Sequence, residues 1–384
     1  MEMVPENKEE KDIPDITRPY DIVVYGASGF AAKYVIKQLE KSAYRVKLAA
    51  RNASRIHKSQ FDRVQANLDE IENVARECYV LINLAGPYTG TGESVVKACI
   101  RMGTDYVDIT GEVGFMRKML IEYDTMAKIN GVAVIHSCGF DSIASDLGAL
   151  HLAKSFDKVA IKAVLEVSKL RLGRGTWNSL LESMRSHQKH VRSKTAQTGA
   201  PFYTKEQDHY LLKYIGPDAF VVKKSAERLS SIFDYKFTIY LKVYSAIKLY
   251  CMLVWLYLIN KLVQYDWIHR LLISNPGIST FGVFRNQLPT AAELKQIRFK
   301  MVLVGEGTRR SKRIVKRTTI SGPDPGYSSC AIFVTECAYQ LLRNKEKCVL
   351  GVNTPAVAFH KTDVIECIKQ QGIGFSTETV SQEL

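Results

Sequence analysis

The sequence predicts an α/β protein: a Rossmann-type doubly wound parallel sheet, then a second α+β domain containing an antiparallel sheet and a membrane-associating apolar segment. Three observations predict it. Between residues 21 and 154, short apolar or β-branched runs alternate with helical periodicities, the signature of repeated βαβ units. The first such run enters a glycine-containing turn and leaves as an amphipathic helix. Further on the alternation gives way to a basic stretch, an unbroken apolar run from Leu249 to Ile259, and a pair of strand-like segments. The expected organisation is a disordered tail over 1–19, a first domain over 20–155 and a second over 156–350. Within the second lie a basic linker (186–230) and the apolar segment (237–263), and a C-terminal helix in 351–384 returns towards the first domain.

Taken in order, residues 1–19 are polar, carry Pro5, Pro14 and Pro19, and lack the basic and apolar regions of a secretory signal. The strand Asp21 to Tyr25 runs into Gly26, Ala27, Ser28, Gly29 and Phe30, then Ala31-Ala32 and a helix. Small residues at 26, 29 and 32 permit a tight turn, close backbone approach by a ligand, and close helix–strand packing. Free amides at the helix tip then favour a pyrophosphate. The bland alternative is an ordinary tight turn. Tyr44 to Ala50 is the second strand, and it delivers Arg51, with Arg55 one turn on, where an NAD-specific site would carry an acid. A guanidinium matches a 2′-phosphate in charge and geometry, so NADP(H) is expected over NAD(H).

Cys78 to Leu84 is a continuous apolar run suited to a central parallel strand. It breaks so that Asn83, Ala85, Gly86, Pro87 and Tyr88 come to the carboxyl edge of the sheet, beside the nicotinamide half of a dinucleotide. Gly90 and Gly92 lead into a helix from Glu93 to Met102. A strand from Thr104 to Ile109, a helix from Phe115 to Ile129 and a strand from Val132 to His136 follow. The last ends in Ser137-Cys138-Gly139-Phe140-Asp141 and a new helix.

In the second half, Val159 to Val167 is a strand, Gly173, Gly175 and Thr176 make a turn, and Ser186 to Lys224 is basic and less ordered. As a helix, Leu249 to Ile259 spans only about 17 Å, against roughly 30 Å of hydrocarbon. Fenced by Lys248 and Lys261 and rich in Tyr and Trp, it suits the plane of an interface better than a crossing. A buried core helix is the alternative. Residues 292–305 and 311–321 form a strand pair turning at Glu306-Gly307. A helix from Ser328 to Leu342, a loop at Val352 to Ala356 and a helix near Thr362 to Gln370 close the chain.

Charge is concentrated: residues 161–320 hold 28 Lys/Arg against 10 Asp/Glu, within a chain of net charge +14. With no recognised nucleic-acid module or stacking aromatics, that field suits an anionic membrane surface or a solvated face. The eight scattered cysteines form no C-x-x-C pair, which argues for reduced thiols. His187 and His190 lack acidic or thiol companions, so no metal site is expected.

Several segments together resemble the saccharopine dehydrogenase-like oxidoreductase family. They are VVYGASGF (23–30), LAAR (48–51), LINLAGPY (81–88), VVKACIRMGTDYVDITGE (95–112), SCGFDSIASDLG (137–148), FGVFRNQLPT (281–290), GPDPGY (322–327) and VNTPAVAF (352–359). The resemblance implies a Rossmann domain with a second α/β domain, a nicotinamide cofactor, and association with lipid droplets or membranes. The chain is also similar to trans-acting enoyl reductases, which implies reduction of a carbon–carbon double bond in glycolipid assembly. The family loop commonly reads GASGFTG; Ala31-Ala32 replace Thr and Gly here and remove one hydroxyl that could meet phosphate.

Reducing an enoyl group needs a proton donor beside the hydride donor. Tyr88 and Asp141 are the catalytic candidates, ahead of Ser137 and Cys138; each also has a structural reading, Asp141 as a helix cap and Tyr88 as a wall of the cofactor site. Two functions are expected to compete. One is an NADP(H)-dependent oxidoreductase acting on a lipid or fatty-acyl substrate, at a lipid droplet or cytosol-facing intracellular membrane, with the mitochondrion as the other organelle. The other is a non-catalytic membrane protein with a vestigial or regulatory dinucleotide site. No nucleic acid is expected as a partner; a second copy of the chain, as a homodimer, is.

Overall fold

The computed structural model describes residues 17–168, 172–190, 202–280, 282–285 and 289–382. The chain opens with β1 (Tyr20–Tyr25), α1 (Ala32–Leu39), β2 (Val46–Ala50), β3 (Asp62–Gln65), α2 (Ile71–Arg76), β4 (Cys78–Asn83), α3 (Tyr88–Met102), β5 (Asp105–Asp108), α4 (Val113–Ile129), β6 (Ala133–Ile135) and α5 (Phe140–Ala153). It continues with β7 (Lys158–Val167), β8 (Leu172–Gly173), α6 (Arg174–His190), β9 (Tyr203–Lys205), β10 (Tyr210–Lys213), α7 (Asp218–Arg228), β11 (Asp234–Val243), α8 (Ala246–Leu262), α9 (Asp266–Ser274) and α10 (Pro276–Ser279). It ends with β12 (Phe284–Arg285), α11 (Ala291–Gln296), β13 (Arg298–Arg309), β14 (Lys312–Pro323), α12 (Cys330–Arg343), β15 (Gly351–Asn353), α13 (Pro355–Phe359), α14 (Val364–Gln370) and β16 (Gly374–Gln382).

The first sheet runs β15-β6-β5-β4-β1-β2-β3, and every pairing in it is parallel. The order reverses between β1 and β4, so a crevice opens at their carboxyl ends. Both faces of the central strands are covered, which is why Ile22 to Val24 and Val80 to Ile82 are wholly buried apolar runs. The second sheet runs β16-β14-β13-β7-β11-β10-β9 and is mixed: β7 pairs parallel with β11 and antiparallel with β13. Helix α5 ties the sheets together. It is buried along nearly its whole circumference, Phe140 meets Phe299 of β13 edge-on at 4.6 Å, and a Cβ on Gly148 would lie 2.6 Å from Ile320 of β14.

Several expectations are corrected. Residues 1–16 lie outside the described chain, but the end of the expected tail is pinned: the Arg18 guanidinium donates to the carbonyls of Cys78 and Met102 and to the Thr104 hydroxyl. Helix α3 begins at Tyr88, not Glu93. Gly90 and Gly92 lie inside it, because a Cβ on Gly92 would lie 2.6 Å from the Phe115 ring of α4. The expected turn at Gly173–Thr176 is the start of α6, and the basic linker contains β9, β10 and α7 (residues 191–201 lie outside the described chain). The apolar segment is not one element: residues 237–243 belong to β11, which is held between β7 and β10. Among the described residues no helix is long and apolar enough to cross a membrane. The β13–β14 hairpin turns at Arg310 and Ser311, both at positive φ, rather than at Glu306-Gly307, and α11 replaces the first part of the expected strand. Near the C-terminus, β15 extends the first sheet where a loop was expected, and β16 edges the second.

Candidate active site

The glycine turn is built against the end of β4. Gly26 has φ +83°, and a Cβ there would sit 2.6 Å from the Ala85 nitrogen, so both backbone conformation and space demand glycine. The amides of Gly26 and Ala27 donate to the Ala49 carbonyl at 2.9 and 3.0 Å, and Gly29 donates to the Gly26 carbonyl at 3.0 Å. Among the described residues the amides of Ser28 and Phe30 have no hydrogen-bond partner. They stand free at the entrance of α1, where the helix dipole adds positive potential. Arg51 lies exposed just past β2 and forms no ion pair among the described residues. Open amides, a closely approachable backbone and an unengaged guanidinium fit a diphosphate with a further phosphate on the adenosine side.

The floor of the crevice is a buried polar network centred on Asp108. Its carboxylate accepts from the Tyr106 hydroxyl (2.9 Å), the Thr110 amide (3.1 Å) and the Ser137 amide (3.0 Å), and lies 2.7 Å from His136 Nδ1. Those bonds hold Ser137 at φ +60°. Asn83 is wholly buried: its side-chain amide donates to the Tyr106 hydroxyl and accepts from the Ala85 amide, so it shapes the β4 exit. Gly86 and Pro87, joined by a cis peptide, face the opening. Glu112 fixes the start of α3 by accepting from the Tyr88 and Thr89 amides at 2.9 and 2.8 Å, and it also accepts from the Ser179 hydroxyl of α6.

The candidate proton donors are differently placed. The Tyr88 ring is buried against Phe115, its hydroxyl donates to the Asn83 carbonyl at 3.1 Å, and burial holds its pKa well above the usual phenol value. Ser137 donates to the Thr110 carbonyl at 2.7 Å. Cys138 is buried, and burial raises its thiol. Asp141 alone keeps an exposed side chain, in the first turn of α5, and the protein around it raises its carboxyl pKa by desolvation.

Sequence reasoning missed what stands beside Asp141. Pro217 packs over Gly111, which brings the loop Tyr214–Pro217 onto the segment that follows β5. Burial, then Asp141 and Asp218, raise the Tyr214 phenol. Asp218 is buried and accepts from the Ser145 hydroxyl of α5. The available signal was Gly216-Pro217-Asp218, a turn followed by an acidic first helical residue. The structure thus brings the glycine turn against Leu84 and Ala85, and sets Tyr214 near Asp141.

Fold and crevice define a Rossmann-type dinucleotide-binding protein. More particularly, residues 22–135 match the family described as saccharopine dehydrogenase NADP binding domain, which supports NADP(H) as the cofactor. The chain is 28% identical over 421 residues to the saccharopine dehydrogenase-like oxidoreductase of Bos taurus, covering 94% of this chain and 97% of that one. It is 26% identical over 420 residues to the lipid droplet localized protein of Caenorhabditis elegans, covering 94% and 98%. Over 149 residues it is 36% identical to the trans-acting enoyl reductase of Mycobacterium bovis, covering 35% of this chain and 36% of that one. The resemblance read from the sequence therefore holds along most of the chain, and an oxidoreductase with an NADP-binding domain is supported.

Proposed function

We propose that the protein is an NADP(H)-dependent oxidoreductase that acts on a lipid-linked or fatty-acyl substrate at the surface of a lipid droplet or cytosol-facing membrane. One observation carries the lipid part. Helix α8 buries only Leu249 and Ile259 and leaves Ile247, Tyr250, Val254, Tyr257 and Leu258 exposed, a stripe at helical spacing. Trp267, Leu271 and Ile278 extend the apolar surface onto α9 and α10. These helices stand on the wall of the crevice: Trp177 and Leu181 of α6 pack with Ile259, Val263 and Leu272, while Ser179 of α6 reaches Glu112. A lipid drawn from the surface would meet the crevice through that wall.

NADPH held at this site would supply the hydride for one carbon of a polarised double bond. The other carbon needs a proton, and the exposed Asp141, whose carboxyl pKa is raised by desolvation and which lies close enough to Tyr214 to raise that phenol, is its donor in this reading. The free amides of Ser28 and Phe30 and the Arg51 guanidinium would hold its phosphates, and the Asp108 network braces the floor. The partial likeness to an enoyl reductase supports a carbon–carbon double bond as the reducible group. The test is NADPH consumption by the purified protein with α,β-unsaturated acyl lipids presented in anionic vesicles. Turnover that requires both vesicle and NADPH supports the reading. Vesicle binding and NADPH binding without turnover of any such lipid would leave the non-catalytic alternative.

A further inference from the structure

We infer that the Tyr327 hydroxyl is a cofactor-binding group, donating a hydrogen bond to an oxygen of the dinucleotide's pyrophosphate–nicotinamide ribose segment. The inference rests on the NADP(H) site described above and assigns a role to the GPDPGY stretch, which that site leaves unused.

Asp324 builds the geometry. It is buried, and its carboxylate accepts from the Tyr327 amide at 3.0 Å and the Ser328 amide at 2.8 Å, winding Pro325–Ser329 into a π-turn ahead of α12. The turn swings the Tyr327 ring against Tyr34 of α1, with centroids 5.3 Å apart, and into a cluster with Phe30, Leu294 and Ile297. The ring is therefore anchored on the helix that begins at the glycine turn. Only 5% of Tyr327 is exposed, yet its hydroxyl has no hydrogen-bond partner. Buried tyrosine hydroxyls ordinarily find one.

The residue packed beside that oxygen is a glycine. A Cβ on Gly173 would lie 2.8 Å from the Tyr327 oxygen and 3.2 Å from Phe30 Cδ2. Phe30 directly follows Gly29, and its amide is among those left free for phosphate. An orphaned donor, a glycine and the ring of Phe30, the residue whose amide is unbonded, thus meet beside the turn. Burial and the charge of Asp324 push the phenol pKa up, so the hydroxyl carries its proton and donates. A phosphate or ribose oxygen is the acceptor chemistry that this corner lacks.

The experiment compares wild type with Tyr327→Phe, which keeps the ring and its packing. Affinities for NADPH, 2′-phospho-ADP-ribose and 2′,5′-ADP are measured by calorimetry, together with the melting temperature of the free protein. The expected result is five- to tenfold weaker binding of NADPH and 2′-phospho-ADP-ribose, unchanged binding of 2′,5′-ADP, which lacks the diphosphate bridge, and no loss of melting temperature. Gly173→Ala, which places a methyl against the hydroxyl, should weaken the same two ligands. Unchanged NADPH affinity in Tyr327→Phe overturns the inference. So does an equal loss for all three ligands, which marks general distortion. Failure of the wild type itself to bind NADPH would instead remove the cofactor site on which the inference rests.

Discussion

Gly26 and Arg51 divide the cofactor site between shape and charge, and each makes a separate prediction. Gly26→Ala combines a positive φ with a Cβ 2.6 Å from the Ala85 nitrogen, so the variant should lose about 1–3 kcal/mol of stability. Its NADPH binding should fall with the displaced turn; thermal melting and titration check both. Arg51→Ala leaves the fold alone, because the side chain is exposed. It should weaken NADPH by about 10–100-fold, the worth of a charge-assisted contact, while NADH affinity stays the same. Equal loss for both coenzymes would remove Arg51 from the 2′-phosphate. Asp141→Asn should lower turnover by roughly 10²–10⁴-fold without changing NADPH affinity. These residues were legible in the sequence because each acts within a local pattern: a turn, a strand end, a helix start. Tyr214 and Tyr327 were not, since what places them is the docking of distant loops onto Gly111 and Phe30.

Helix α5 shows what an element can conceal. Its sequence is apolar enough to read as core, yet it buries Asp146, whose carboxylate accepts from the Ala356 amide at 2.8 Å while its other oxygen has no partner. Burial pushes Asp146 up to about 7 and raises Asp218, next to it, in the same direction. A carboxyl whose pKa is higher in the folded than in the unfolded state binds more protons when folded. Its contribution is thus complete below about pH 4 and is lost as pH rises towards 7. For Asp146 alone the loss is at most about 4 kcal/mol. Wild type should therefore melt lower at about pH 8 than at about pH 5, and Asp146→Asn should flatten that decline. A slope that the variant leaves untouched would place the effect elsewhere. Periodicity likewise misjudged α3 and the 237–263 segment. In the first, glycines normally taken for a turn serve close contact with Phe115; in the second, apolar composition hides the change from strand to helix at Ser245, the N-cap of α8.

At the scale of the whole molecule, β1 to β6 of the first sheet were readable because they come from consecutive βαβ units, whereas β15, which joins β6 from more than 200 residues away, was not. Most of the second sheet was not, because β7 pairs with segments far along the chain, β11 on one side and β13 on the other. That difference decides how membrane association can be tested. Deleting 237–263 would remove most of β11, a strand paired on both sides, and so would report on folding rather than on lipid. Point charges on the exposed stripe separate the two. Tyr250 is 69% exposed and Leu258 48% exposed, so Tyr250→Glu with Leu258→Glu should leave melting nearly unchanged, since neither side chain supports the core. If both side chains enter the lipid interface, each contributes about 1.5–3 kcal/mol, and the double variant should partition into anionic vesicles at least 100-fold more weakly. The surrounding Lys and Arg surplus adds attraction that falls with salt, whereas the apolar part persists, so wild-type binding should weaken but survive at high ionic strength. Undiminished vesicle binding by a stably folded double variant would move the lipid-facing surface away from α8.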